Sequence, residues 1–381
     1  MLTKIRLKNF RSYKQETIID FSATNYKQLE DTNVNNGITK GALFIGGNAS
    51  GKTNAIYSLS FLLDLLFLNG ARNNTRNFCI FSNDQTMDLE YTFVIENSTI
   101  TYTLAFNRNG MITSERLCLN NETVLDRIGF GAESSITEKK YYDKNDIDGY
   151  TPFIRSIYFN TKFTSYPVLA KWFEFLSNSV YFNATKTQVI NYNPNFEVQL
   201  LQYLDKNGED EINKFFSYFN FGQKIEYRNH HILSEYVRME SDKKRVYVKR
   251  NNANFWIPMD FESLGNITLL NMLPSLLHCI KTDSMFIVDE FSSSFHNDLE
   301  ELIVRYFMKE SSHSQMFFVS HSTNLLSSTL LRPDQIYTVD FADSRGSVVK
   351  RVSSEHPRET QNFEKMYLGG VFNGLPHYKN N

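Results

Sequence analysis

"GALFIGGNASGKTNAIYSLSFLLDLLFLNG", residues 41–70, decides how the rest of the chain is read. Ala42 to Ile45 form a short apolar strand that runs into glycines. "GGNASGKT", residues 46–53, fits the spacing G-x-x-x-x-G-K-[ST]. Gly46 and Gly51 let the backbone curl so that its N–H groups converge on an anion. The Lys52 ammonium can reach the terminal phosphates of a nucleotide, and the Thr53 hydroxyl can bind Mg²⁺. The helix that begins there turns its positive end toward the same anion. A chance glycine-rich turn is the competing reading, and the strand before and helix after argue against it. Gly46, Gly47, Asn48, Ala49, Ser50, Gly51, Lys52, Thr53 and Asn54 are therefore the candidate cradle for ATP and Mg²⁺. The apolar run over residues 55–70 is shorter than a bilayer span and carries Asp64, so it reads as a buried helix.

A phosphate loop needs acids to hold its metal. "MFIVDEFSSSFHND", residues 285–298, supplies a pair: an apolar strand ends in Asp289 and Glu290. Buried carboxylates are costly unless a metal or cation offsets them. At a strand end beside the phosphate loop, Asp289 can hold Mg²⁺ and Glu290 can orient or deprotonate the attacking water. An acid pair facing solvent is the plainer reading, and the upstream loop tips the balance against it. "QMFFVSHSTNLL", residues 315–326, is a third apolar strand, and His321 at its end is positioned to contact the terminal phosphate.

Around these motifs the chain alternates. "TKIRLKNF" and "QETIIDFS" predict two opening strands with a turn at Arg11 and Ser12. Residues 87–127 alternate apolar and polar between Asn and Gly turns, which predicts an antiparallel meander. Residues 131–150 read as a polar, loop-like insertion. Residues 165–222 read as largely helical, with Gly222 just past the helix over 209–221. "QKIEYRNHHILSEYVRM" and "KKRVYVKRNNANFWIP" read as strands. Residues 262–281 read as a helix kinked at Pro274. Beyond the acid pair come a helix over 295–310, a helix over 322–330, strands over 335–340 and 347–352, and a helix over 360–368. The expected fold is α/β: a P-loop core with an antiparallel β meander near the N-terminus and a helical/β insertion in the middle. The expected division is 1–130, 131–255 and 256–381, with the core formed by the first and last parts.

The formal net charge of −2 over 381 residues excludes a chain that is basic throughout. The three cysteines have no metal-ligand spacing, which fits a reducing cytoplasm. The N-terminus has no signal-peptide core. Two smaller clusters allow more than one reading. His230 and His231 are adjacent, so on a strand they point to opposite faces and make a poor metal pair. Lys243 to Arg250 interleave cations with Val and Tyr, which suits either a lysine-guarded edge strand or a basic stripe for nucleic acid.

The motif set resembles the ABC/SMC-type ATPases. "IRLKNFRSYK" resembles the first strand of SMC-like and RecF-like heads, and "FESLGNITLL", residues 261–270, a divergent signature motif. "DEFSSSFH", "HSTNLL", "LRPDQIY" and "YLGGVFNGLP" together are similar to the AAA-type, OLD-related ATPases of bacterial abortive-infection operons, of the RloA and AbiL kind. The resemblance implies ATP sandwiched between the phosphate loop of one copy and the signature of another, with Ser263 and Gly265 facing the partner's γ-phosphate. It also implies that "SSSFH" forms an inter-subunit loop. Ser292 stands where such motifs often carry Asp, and Asn266 where they often carry Thr. Gln85 is the candidate for the usual Q-loop glutamine. The expectation is an ATPase that acts as the sensor or switch of an anti-phage system. It would work as a homodimer or higher oligomer with a separately encoded nuclease or toxin effector, and without a membrane. The competing expectations are a RecF-like DNA-repair ATPase that binds DNA directly and a non-hydrolysing ATP-gated scaffold.

Overall fold

The computed structural model describes residues 1–69, 74–136, 147–231, 240–293 and 295–375; the side chains at 230, 231 and 240–243 are not described. Two seven-stranded sheets organise the chain. The first is antiparallel throughout. Its strands run in the order 131–134, 122–128, 112–119, 98–107, 86–95, 2–8, 17–20. The second runs in the order 188–191, 180–183, 285–289, 315–319, 41–46, 336–342, 346–351. Its five inner strands are parallel, and each edge strand is antiparallel to its neighbour.

Period-two alternation divides the second sheet between two cores. Ala42, Phe44, Met285, Ile287, Phe317 and Val319 face the first core. There they meet the helix Lys52–Phe67, the helix Pro167–Ser177 and the inner face of the antiparallel sheet. Leu43, Ile45, Phe286, Val288, Met316 and Phe318 face the second core, against the helices Leu264–Lys281 and Asn297–Glu310. Burial on both faces explains why "ALFI", "MFIV" and "MFFV" are continuously apolar instead of alternating.

The parallel inner strands bring their C-terminal ends to one edge of the sheet. Gly46, Asn183, Asp289 and Ser320–His321 all arrive there. The strand carrying Asp289 is not the immediate neighbour of the phosphate-loop strand. Gln315–Val319 lies between them.

Four expectations from sequence need correction. Residues 165–222 are not continuously helical, because Val180–Asn183 and Gln188–Asn191 are strands of the second sheet. Four-residue apolar runs do not reveal their period. The helix expected to end at Gly222 stops at Tyr218, and Asn220 and Gly222 take positive φ. The segment 322–330 holds only the 3-10 turn Thr323–Leu325. The Ser322 N–H donates to the Ser320 hydroxyl at 3.0 Å, a local bond that competes with a helical start. Gly131–Ser134 is the edge strand of the antiparallel sheet, not loop; most of the insertion expected beyond it, residues 137–146, lies outside the described residues. The helix Leu264–Lys281 runs through Pro274. Among the described residues, no helix is long and apolar enough to cross a membrane.

Candidate functional site

The phosphate loop is held in a curled shape from three sides. Gly51 has φ +105, and a Cβ there would lie 2.1 Å from the Ser347 Oγ and 2.6 Å from the Ser12 Oγ. Around it the Ser347 hydroxyl donates to the Ser50 carbonyl (2.6 Å) and the Tyr13 hydroxyl to the Gly51 carbonyl (3.0 Å). The Asn54 amide donates to the Ser12 hydroxyl (2.8 Å). The Arg11 guanidinium covers the Tyr57 ring at 3.9 Å, which ties the same turn to the following helix. At the loop's start the Gly47 N–H donates to the Gly374 carbonyl at 2.9 Å, and the Tyr367 hydroxyl donates to that carbonyl too.

Gly46 is required for close approach. A Cβ would sit 2.1 Å from the Val339 carbonyl oxygen, a backbone atom that cannot rotate away. Gly46→Ala is therefore expected to cost about 1–3 kcal/mol of stability by overpacking, read as a lower denaturant midpoint. An unchanged midpoint would contradict this contact.

Lys52 is buried, and its Nζ donates to the Gly46 and Gly47 carbonyls at 2.9 and 2.6 Å. Burial pushes its pKa down to about 8, against the opposing pull of Glu290 and Asp289. Next to it the Thr53 hydroxyl donates to Asp289 Oδ1 at 3.0 Å. Asp289 is 4% exposed. Desolvation raises its carboxyl above the usual range, partly offset by the Thr53 bond, and the neighbouring Glu290 raises it further. Its other oxygen accepts from the Tyr181 hydroxyl and the Asn183 amide, both at 3.3 Å.

Glu290 follows in the left-handed region at φ +56. Its carbonyl accepts from the Ser293 N–H and hydroxyl, at 3.0 and 2.5 Å, and these bonds fix the turn. From there the Ser292 hydroxyl accepts the His321 backbone N–H at 2.9 Å. Desolvation and the Lys52 charge lower the His321 imidazole, and Glu290 opposes them. Lys52, Asp289, Glu290 and His321 thus share one electrostatic neighbourhood. Behind them Glu300 is fully buried beside the hydroxyls of Ser320 and Ser322, and burial pushes its carboxyl up to about 7.

These groups suit a triphosphate with a divalent cation. The Ser50 Oγ inside the loop is buried without a hydrogen-bond partner. Among the described residues, the Lys52 ammonium has only the neutral Gly46 and Gly47 carbonyls as acceptors. The hard oxygens of Thr53 and Asp289 lie side by side, as an oxygen-ligated cation requires.

The expected signature residues are not joined to this loop by any hydrogen bond among the described residues. Ser263 is the N-cap of the helix Leu264–Lys281 and accepts the Asn266 N–H at 3.3 Å. Its neighbour Glu262 accepts from Arg250 (2.5 Å) and from the Asn266 amide (2.9 Å). That amide's oxygen in turn accepts from Gln223 at 2.9 Å. Gly265 lies in the first turn of the same helix. Gln85 is exposed, with its amide on the Asn83 carbonyl, and among the described residues no hydrogen bond joins it to the groups above. The side chains of His230, His231 and Lys243, and all of Ser294, fall outside the described residues.

Sequence reasoning missed Tyr181, Asn183, Ser12, Tyr13, Ser347 and Gly374. A signal existed for the first pair: "VYFN" is β-branched and aromatic. The others are contacts between distant stretches of chain and leave no periodic trace.

A family model described as "AAA domain, putative AbiEii toxin, Type IV TA system" matches residues 42–327. Among solved structures, the chain is similar to the SMC head domain from Thermotoga maritima, at 15% identity and a TM-score of 0.49. That match covers 91% of this chain and 97% of the other. It is also similar to an Smc head bound to the C-winged helix domain of ScpA, at 16% identity and a TM-score of 0.51, with the same shares covered. The fold is that of an SMC-head-like P-loop ATPase. No curated protein matches the chain.

Proposed function

The chain belongs to the family "AAA domain, putative AbiEii toxin, Type IV TA system", and from that premise we propose that it binds and hydrolyses ATP as the switch of an anti-phage defence system. One observation carries the ATPase half: the Thr53 hydroxyl lies 3.0 Å from Asp289, with the Glu290 carboxylate close enough to favour the charged form of Lys52. In this reading Lys52 and the loop N–H groups that follow Gly47, whose own N–H is taken by Gly374, hold the phosphates. Thr53 and Asp289 hold Mg²⁺, which neutralises charge on the phosphates when bound. Glu290 orients and deprotonates the attacking water, and His321 contacts the terminal phosphate.

Asn183 takes the part that the sequence reading sought at Gln85. It is an amide at the end of the neighbouring strand, and it already donates to Asp289. Such supporting partners tune metal affinity by about 10–100-fold. Asn183→Ala is expected to raise the Mg²⁺ concentration for half-maximal turnover about tenfold while leaving Mg²⁺-free ATP binding unchanged. An unaltered Mg²⁺ dependence would remove Asn183 from the site.

The switch half rests on the signature helix and on the family. Phe261 and Leu264 flank Ser263 with 81% and 64% of their surfaces exposed. A second copy of the chain would cover such side chains and bring Ser263 and Gly265 to its partner's nucleotide. ATP binding would then drive association, hydrolysis would reset it, and a separately encoded nuclease or toxin would act on the signal. The test is Mg²⁺-dependent phosphate release by the purified protein, joined to phage challenge of cells carrying the intact operon. Phosphate release without phage protection would leave the ATPase and reject the defence role.

A further inference from the structure

The stretch Lys243–Arg250 is covered on its second side only at Tyr247 and Val248. Glu240–Arg250 is the middle strand of a three-stranded sheet, between Gln223–His231 and Ile257–Pro258. Edge protection can account for Lys244, whose segment has no partner on that side among the described residues, but not for like charges that face each other across paired strands.

The register shows a second oddity. Ile225, Val246 and Val248 are buried toward the second core. The residues that alternate with them face outward. On that outer face Lys224 stands opposite Lys249, and Arg228 opposite Arg245. Like charges directly opposed across strands are destabilising. A sheet shaped for stability alone would not carry two such pairs in a chain of net charge −2.

Aromatic rings hold these cations in place. The Trp256 ring lies 5.5 Å from the Lys224 ammonium, 5.5 Å from the Arg228 guanidinium and 5.9 Å from the Lys249 ammonium. Arg228 also sits over Tyr247 at 4.7 Å. Its partner Glu226 and the Arg245 partner Asp260 form only exposed ion pairs, at 3.3 and 3.7 Å. Such pairs are worth little and exchange readily for another anion. From Lys224 to Arg228 the row is about 13 Å long at strand spacing.

We propose that this outer face binds single-stranded nucleic acid, with backbone phosphates on Lys224, Arg228, Arg245 and Lys249 and a base stacked on Trp256. Rows of cations interleaved with an aromatic platform suit that ligand, since every base has a face to stack. An acidic protein would use the cations but not the ring.

The test is fluorescence anisotropy with labelled dT15 and U15, a 15-base-pair duplex and a polyglutamate peptide, using the full chain. The single strands are expected to bind, with a log–log salt slope of about −2 to −3 for roughly three to four phosphates. Trp256→Ala should weaken single-strand binding at least tenfold. Lys249→Glu should do the same, yet it replaces a repelling pair by an attracting one, so its melting temperature should not fall. The proposal is overturned by no oligonucleotide binding at 50 mM salt, by single-strand binding that both variants leave unchanged, or by polyglutamate or the duplex binding as tightly as the single strands.

Discussion

Lys52→Ala is expected to weaken ATP binding at least a hundredfold. The Lys52 ammonium now donates to the carbonyls of Gly46 and Gly47. In the proposed complex it exchanges those neutral acceptors for phosphate oxygens. What is gained is a buried charge pair in place of neutral acceptors, and removing one partner of such a pair costs about 3–5 kcal/mol, or roughly a hundredfold to several thousandfold in affinity. The loss would not report unfolding. Lys52 has its pKa lowered from 10.5 to about 8 by burial. Between pH 8 and 10.5 the folded state therefore binds fewer protons than the unfolded state, and this group makes stability rise with pH across that window. Below about pH 8 the buried charge carries its full penalty. At pH 7 the alanine removes that penalty while leaving two carbonyls without a donor, and the two effects oppose each other. Calorimetric ATP titration with a parallel thermal melt separates the outcomes. Near-native affinity in a folded variant would reject the phosphate-binding role of Lys52.

The part of the site that could be read in advance is the part whose chemistry is local. Gly46, Gly51, Lys52 and Thr53 carry their geometry in their spacing, because a tight curl of backbone needs glycine at set intervals. Asp289, Glu290 and His321 stood out because polar groups end strands that are otherwise wholly apolar. That the same runs are buried on both faces of one sheet is seen only in the structure. What stayed hidden depends on distance along the chain. The Asn183 amide meets Asp289 across 106 residues, and Gly374 meets Gly47 across more than three hundred. Neither contact has a local pattern. The strand Val180–Asn183 is too short to show its period, so its tyrosine and asparagine lay inside a segment read as helix. Lys243–Arg250 shows a different limit. Its alternation was plain, but which cations face one another depends on the register of the neighbouring strand, which leaves no local pattern.

Glu290→Gln is expected to lower ATP turnover by about 10²–10⁴, the usual span for losing a general base, while ATP still binds. The backbone supports this choice of residue. Glu290 is held at φ +56, a conformation that non-glycine residues seldom adopt. Strain of this kind persists where surrounding structure imposes it, and two bonds from Ser293 to the Glu290 carbonyl do so here. The amide is nearly isosteric, keeps the turn and cannot take a proton from water. Removing the carboxylate also lessens negative charge beside Asp289, whose own ionisation is already disfavoured by burial and by Glu290. Metal and triphosphate should therefore bind at least as well as before. If association depends on ATP and separation on hydrolysis, the variant should accumulate as a dimer or higher oligomer in ATP and Mg²⁺, but not in ADP. Phosphate release and light scattering after size-exclusion chromatography measure the two halves independently. Turnover at the wild-type rate would remove Glu290 from catalysis. Slow turnover by a protein that stays monomeric in ATP would keep Glu290 as the base and reject the composite site at Ser263 and Gly265.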